Sequence, residues 1–145
     1  MKKILKLSVI LLVAVFILGT VSVFANETHS GACGDNVSWV YDGNGVLEIS
    51  GVGAIYDYDL MEAPFYTLKD QVSEIVIEDG ITAIGTNAFL NFELVENVFI
   101  PASVEKIDGS SFEWCESLTD IVVDEKNTFL CSVDGVLFSG DKKSL

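Results

Sequence analysis

In 145 residues the chain sets 22 Asp and Glu against eight Lys and no Arg, a formal net charge of −14, while half of it is apolar. A surface of that sign repels nucleic acid and anionic lipid, which are bound through Lys and Arg. The single His29 and three cysteines without C-x-x-C spacing (Cys33, Cys115, Cys131) give no zinc or redox motif and no assembled catalytic constellation.

Chain order begins with Met1-Lys2-Lys3-Ile4-Leu5-Lys6, a basic start, followed by an apolar run to Leu18 and the exit Val23-Phe24-Ala25. This layout predicts a secretory signal peptide over residues 1–25, with a transmembrane anchor as the rival reading. Contact with a membrane is then confined to this segment before cleavage, and the product is secreted or held at the cell surface. Cleavage leaves five lysines facing all 22 carboxylates. Residues 26–36, polar and small, read as a flexible leader. Residues 37–71 read as an N-terminal cap module: Val37-Ser38-Trp39-Val40-Tyr41 and Val46-Leu47-Glu48-Ile49-Ser50 flank Asp42-Gly43-Asn44-Gly45, a hairpin pattern. Gly51-Val52-Gly53-Ala54-Ile55 suggests a short third strand, and Ala63-Pro64-Phe65-Tyr66 a helical turn. This front part shows no repeat.

From residue 72 to 145 the spacing becomes regular. Val72-x-x-Ile75-x-Ile77 returns as Val95-x-x-Val98-x-Ile100 and as Leu118-x-x-Ile121-x-Val123, a shift of 23 residues each time. Ile81, Ile84 and Phe89 return at the same shift as Val104, Ile107 and Phe112. A period of this length with an L-x-x-L-x-L core is the pattern of a leucine-rich repeat solenoid. Strands near 74–78, 97–100 and 120–123 then lie parallel on one face. Alternation points Ile75, Val98 and Ile121 inward as one ladder and Ile77, Ile100 and Val123 as another. The fold class is therefore mainly β: a short solenoid behind a β-hairpin cap.

The wording of these units resembles the BspA-like leucine-rich repeat family. Ile100-Pro101, Val104, Ile107, Phe112, Cys115 and Ser117-Leu118 follow its usual order; Asp108 stands where Gly is usual, Ser111 where Ala88 stands one unit earlier, and Phe92 in place of Cys. Gly31 through Gly51 is similar to the non-repeating N-terminal module of such proteins, and Ser132 through Phe138 to a hairpin variant with Asp134-Gly135 at the turn. The resemblance implies an exported bacterial protein that adheres to host matrix or to bacterial surface proteins. It implies no catalytic residue, no cofactor and no metal. Relatives continue beyond such a hairpin, so the repeats read as incomplete at the C-terminus, with an unprotected edge.

The outward strand residues Val76, Phe99 and Val122 form an apolar stripe. Glu74, Asn97 and Asp120 flank it on one side, Glu78, Pro101 and Asp124 on the other. This is the candidate protein-binding face, suited to a basic partner. The competing expectation is that the same residues merely support neighbouring strands, the chain being a spacer or a truncated piece of a larger adhesin. Tyr56-Asp57-Tyr58-Asp59 lacks the ligand spacing of a calcium loop and reads as a solvated loop.

Overall fold

The structure is a computed structural model that describes residues 27–140. The expected signal peptide lies outside the described residues, as do residues 141–145. Strands are numbered along the chain as β1 (His29–Gly34), β2 (Val37–Tyr41), β3 (Val46–Gly51), β4 (Gly53–Ala54), β5 (Glu74–Ile77), β6 (Ile81–Ile84), β7 (Asn97–Ile100), β8 (Lys106–Ile107), β9 (Asp120–Val123), β10 (Leu130–Val133) and β11 (Val136–Ser139). One 3-10 turn, Tyr66–Leu68, follows Phe65.

Six strands form the main sheet in the order β1-β2-β3-β5-β7-β9, antiparallel across the first three and parallel thereafter. On the other side of the core, β4, β6 and β8 form a small parallel sheet. Between the two sheets lie the predicted ladders, with Ile75 facing Val98, Val98 facing Ile121 and Ile100 facing Val123. Ile77, Val98 and Ile100 are buried, so the strands bury only one face each and rely on their neighbours to close it. A column of rings crosses the same core: Phe65 stacks on Phe89 at 5.6 Å and Phe89 on Phe112 at 5.3 Å.

Polar stitches join each coil to the one before. The Ser103 hydroxyl accepts from the Gly80 N–H at 3.0 Å and donates to the Ile81 carbonyl at 2.8 Å. The Cys115 thiol donates to the Phe89 carbonyl at 3.1 Å, and the Asn127 amide to the carbonyls of Pro101 and Val104 at 3.0 and 2.8 Å. Each of these bonds ties a backbone group of one coil to a side chain of the next.

Three expectations need correction. Residues His29–Gly34 are not a loose leader but the edge strand β1, paired with β2 from His29–Tyr41 to Gly34–Val37. The segment lacks apolar alternation because small residues are what the site requires: a Cβ on Gly31 would stand 2.9 Å from the Trp39 indole nitrogen. Nor is the front part outside the repeat. Leu47 and Ile49 face Ile75 and Ile77, and Gly53 pairs with Ile81, so residues 46–71 make a first, irregular coil. Its longer spacing hid it from a search at 23. The edge of β9 is also covered. The β10–β11 hairpin turns at Asp134 and Gly135, both with positive φ. From there the Gly135 carbonyl accepts the Ile121 N–H at 3.1 Å and the Ser132 hydroxyl the Val123 N–H at 3.2 Å.

Candidate protein-interaction face

Alternation along a strand sends every second side chain of the main sheet away from the core. In β7 these are Asn97 and Phe99, and in β9 Asp120 and Val122; the register sets Asn97 beside Asp120 and Phe99 beside Val122. Ile75 opposite Val98 places Val76 next to Phe99. Phe99 is 49% exposed and Val122 42%, with Val76 half-buried between its neighbours. The three residues expected to form a stripe are therefore side by side on one surface.

The same row continues into the cap. Glu48 pairs with Val76 on one side and with Val40 on the other, and Val40 is 43% exposed. The stripe is thus longer than the repeats alone suggest, with one carboxylate set into it. Alternation within residues 37–50 carries that signal, and only the β3–β5 register, which sequence could not supply, joins it to the rest.

The flanking rows differ from each other. Glu74, Asn97 and Asp120 are all exposed and form the expected acidic edge. On the opposite side Glu78 is exposed, but Pro101 is buried and Asp124 half-buried. The Asp124 carboxylate accepts the Lys126 N–H at 2.8 Å and so closes its own turn. That second rim is a single carboxylate rather than a row. The six strands contain no Lys or Arg, so no cation within the sheet neutralises Glu48, Glu74, Glu78 and Asp120.

Other polar groups are engaged in building the fold. The Tyr56 hydroxyl donates to Asp35 at 2.6 Å, and Asp57 accepts both the N–H and the hydroxyl of Thr86 at 2.8 and 2.9 Å. The Tyr58 hydroxyl donates to the Cys33 carbonyl at 3.2 Å. The tyrosine–aspartate run is the expected exposed loop, and its hydrogen bonds also clasp the cap to the first regular coil. The Thr86 N–H, followed by its hydroxyl, holds the Asp57 carboxyl below its usual range. Burial pushes the Cys33 thiol up to about 11 and raises that of Cys115, which makes both poor nucleophiles at neutral pH. All three cysteines are free, and His29 stacks on Tyr41 at 6.4 Å. Among the described residues no group of three or more His, Cys, Asp or Glu is placed to hold a metal ion, and no helix is long and apolar enough to cross a membrane.

The family described as the BspA type leucine rich repeat region (6 copies) matches residues 60–138. No curated protein matches. Two crystal structures are similar. A leucine-rich repeat protein from Eubacterium ventriosum has 19% identity and a TM-score of 0.43, over 78% of this chain and 48% of that one. The pneumococcal vaccine antigen PcpA has 14% identity and a TM-score of 0.38, over 81% of this chain and 55% of that one. The chain spans about half the length of each.

Proposed function

Since the chain belongs to the BspA-type leucine-rich repeat family, whose repeats form a protein-interaction fold, we propose that its outer sheet face binds protein, as an adhesion module outside the cell. The partner is a host matrix protein or a surface protein of a neighbouring cell, and it contributes a basic, partly apolar segment. One observation carries this reading: Val76, Phe99 and Val122 lie together on the sheet, half-buried to half-exposed, beside carboxylates that no cation of the sheet neutralises. An apolar centre with a charged edge is how protein interfaces are commonly built, the centre supplying affinity and the edge attraction and orientation. Burying the exposed half of Phe99 contributes about 1 kcal/mol, roughly a fivefold gain in affinity.

The test is binding of the described domain to a panel of purified matrix and bacterial surface proteins, compared with the double variant Phe99→Glu, Val122→Lys. The expected result is a complex that weakens as salt rises and loses at least tenfold in Kd in the variant, with thermal melting unchanged. Binding that the variant leaves intact would dismiss the face.

A further inference from the structure

Among the described residues one buried side-chain polar atom has no hydrogen-bond partner: the indole nitrogen of Trp39, a residue only 6% exposed. A buried donor left unpaired is destabilising, so it marks a place where an acceptor belongs. The nitrogen edge of the ring lies against Gly31 in β1. A Cβ there would stand 2.9, 3.2 and 3.4 Å from Nε1, Cε2 and Cζ2. Gly31 thus leaves a gap on the core side of the edge strand, with the unpaired N–H beside it.

The backbone of β1 is unpartnered at the same place. In β2 and just before it, the Asp42 N–H donates to the Val46 carbonyl and the Asn36 carbonyl accepts the Val52 N–H, both on the β3 side. Alternation then turns the backbone groups of Trp39 and Tyr41 towards β1, where they face Gly31 and His29. The N–H and C=O groups of Ser30 and Ala32 consequently point away from the sheet, and no described residue bonds to them. Beyond them the edge is occupied, since the Cys33 carbonyl accepts the Tyr56 N–H at 2.9 Å. Neither β1 nor β2 carries a charged Asp, Glu, Lys or Arg or a Pro, the residues that commonly protect an exposed edge.

We infer that two copies of this chain pair β1 with β1, antiparallel about a two-fold axis at Ser30. Ser30 of one copy exchanges N–H and C=O bonds with Ser30 of the other, and Ala32 does so with Thr28. In this register His29 of each copy stands opposite Gly31 of the other, in the closer of the two kinds of antiparallel pair. His29 lies on the core-side face, stacked on its own Tyr41. Its ring enters the gap at Gly31, where a neutral imidazole nitrogen accepts the Trp39 N–H. A second copy is the occupant because one strand supplies both the gap and the missing acceptor, and a two-fold pair uses each of them twice. Two acidic molecules can meet here, since the strands that approach bring no carboxylate. The axis runs perpendicular to the sheet, so the two six-stranded sheets become one and their outer faces look the same way. The row Val122, Phe99, Val76, Glu48 and Val40 then continues through Ser30 into the second copy. The pairing does not depend on the proposed binding, but it would present that face twice to one partner surface.

Sedimentation of residues 26–145, which include every described residue, tests the pairing at rising concentration. The expected outcome is a monomer–dimer equilibrium with Kd on the order of 10–100 μM, the range of a small contact. Ser30→Pro removes an outward N–H and blocks strand addition, a change that an edge strand accommodates. It is expected to give a monomer with an unchanged melting temperature, whereas Phe99→Glu leaves the dimer intact. His29→Ala, at an exposed position, is expected to raise Kd about tenfold. In NMR spectra the Trp39 indole N–H moves downfield with concentration in the native protein and not in His29→Ala, while that of Trp114, 51% exposed, stays in place. A monomer up to about 1 mM, a dimer indifferent to either β1 variant, or a Trp39 indole resonance independent of concentration would overturn the pairing.

Discussion

At the residue scale, the departures from the repeat's usual wording have individual causes. Gly85 is required because a Cβ there would stand 2.3 Å from the Tyr56 carbonyl oxygen, while one coil later Asp108 has room and caps its own turn by accepting from Ser110. Ser111 is fully buried, and its hydroxyl donates to the Gly85 carbonyl at 2.9 Å. Ser111→Ala restores the residue found at position 88 but removes that bond; chemical denaturation is expected to register a loss of about 1 kcal/mol. Phe92 replaces a cysteine with a ring that meets Phe65 and Phe89 edge-on at 6.2 and 6.1 Å. Trp114 is a different case. It is 51% exposed and holds a left-handed backbone with φ 61, at the place where the preceding coil has Asn91 with φ 64. Asn tolerates that conformation and Trp does not, so Trp114→Asn is expected to gain about 1 kcal/mol in the same measurement. None of these reasons is visible in the residue itself; each depends on what the adjacent coil places opposite.

At the element scale, the cap is fastened by the segment after β4. Asp57 holds Thr86, and the lowered pKa of its carboxyl gives that clasp a pH dependence. A carboxyl whose folded pKa lies below its unfolded value contributes stability above the unfolded pKa, near 3.9, and loses it as pH falls through the folded value. The difference in melting temperature between the native protein and Asp57→Ala is therefore expected to be constant at neutral pH and to shrink towards zero below about pH 4. Relief of general acidic repulsion is shared by both proteins and cancels in the difference. A gap that persists at pH 2 would mean that the clasp acts through packing, not charge. The strands themselves were legible from alternation in β2, β3, β5, β7 and β9. β1 was not, because HSGACG serves as an edge against Trp39 and has no apolar rhythm to reveal it.

Across the whole molecule, stability depends on a core continuous through every coil, and repulsion among 22 carboxylates opposes it. Ile100 is fully buried in the middle rung, so Ile100→Asp places an unpaired charge between coils and is expected to abolish cooperative melting followed by circular dichroism. Raising salt from about 10 to 150 mM shortens the screening length from roughly 30 to 8 Å and is expected to raise the melting temperature by a few degrees. The sequence by itself determined the period, the inward ladders and the outward residues Val76, Phe99 and Val122, because a strand's two-residue alternation and a coil's fixed length are local properties. Only the tertiary structure decided that the cap supplies the first coil, that Glu48 and Val40 extend the outward row, and that Pro101 is buried beside it. Those outcomes follow from register between strands distant in the chain, and register is set by how coils of unequal length pack together rather than by any one segment.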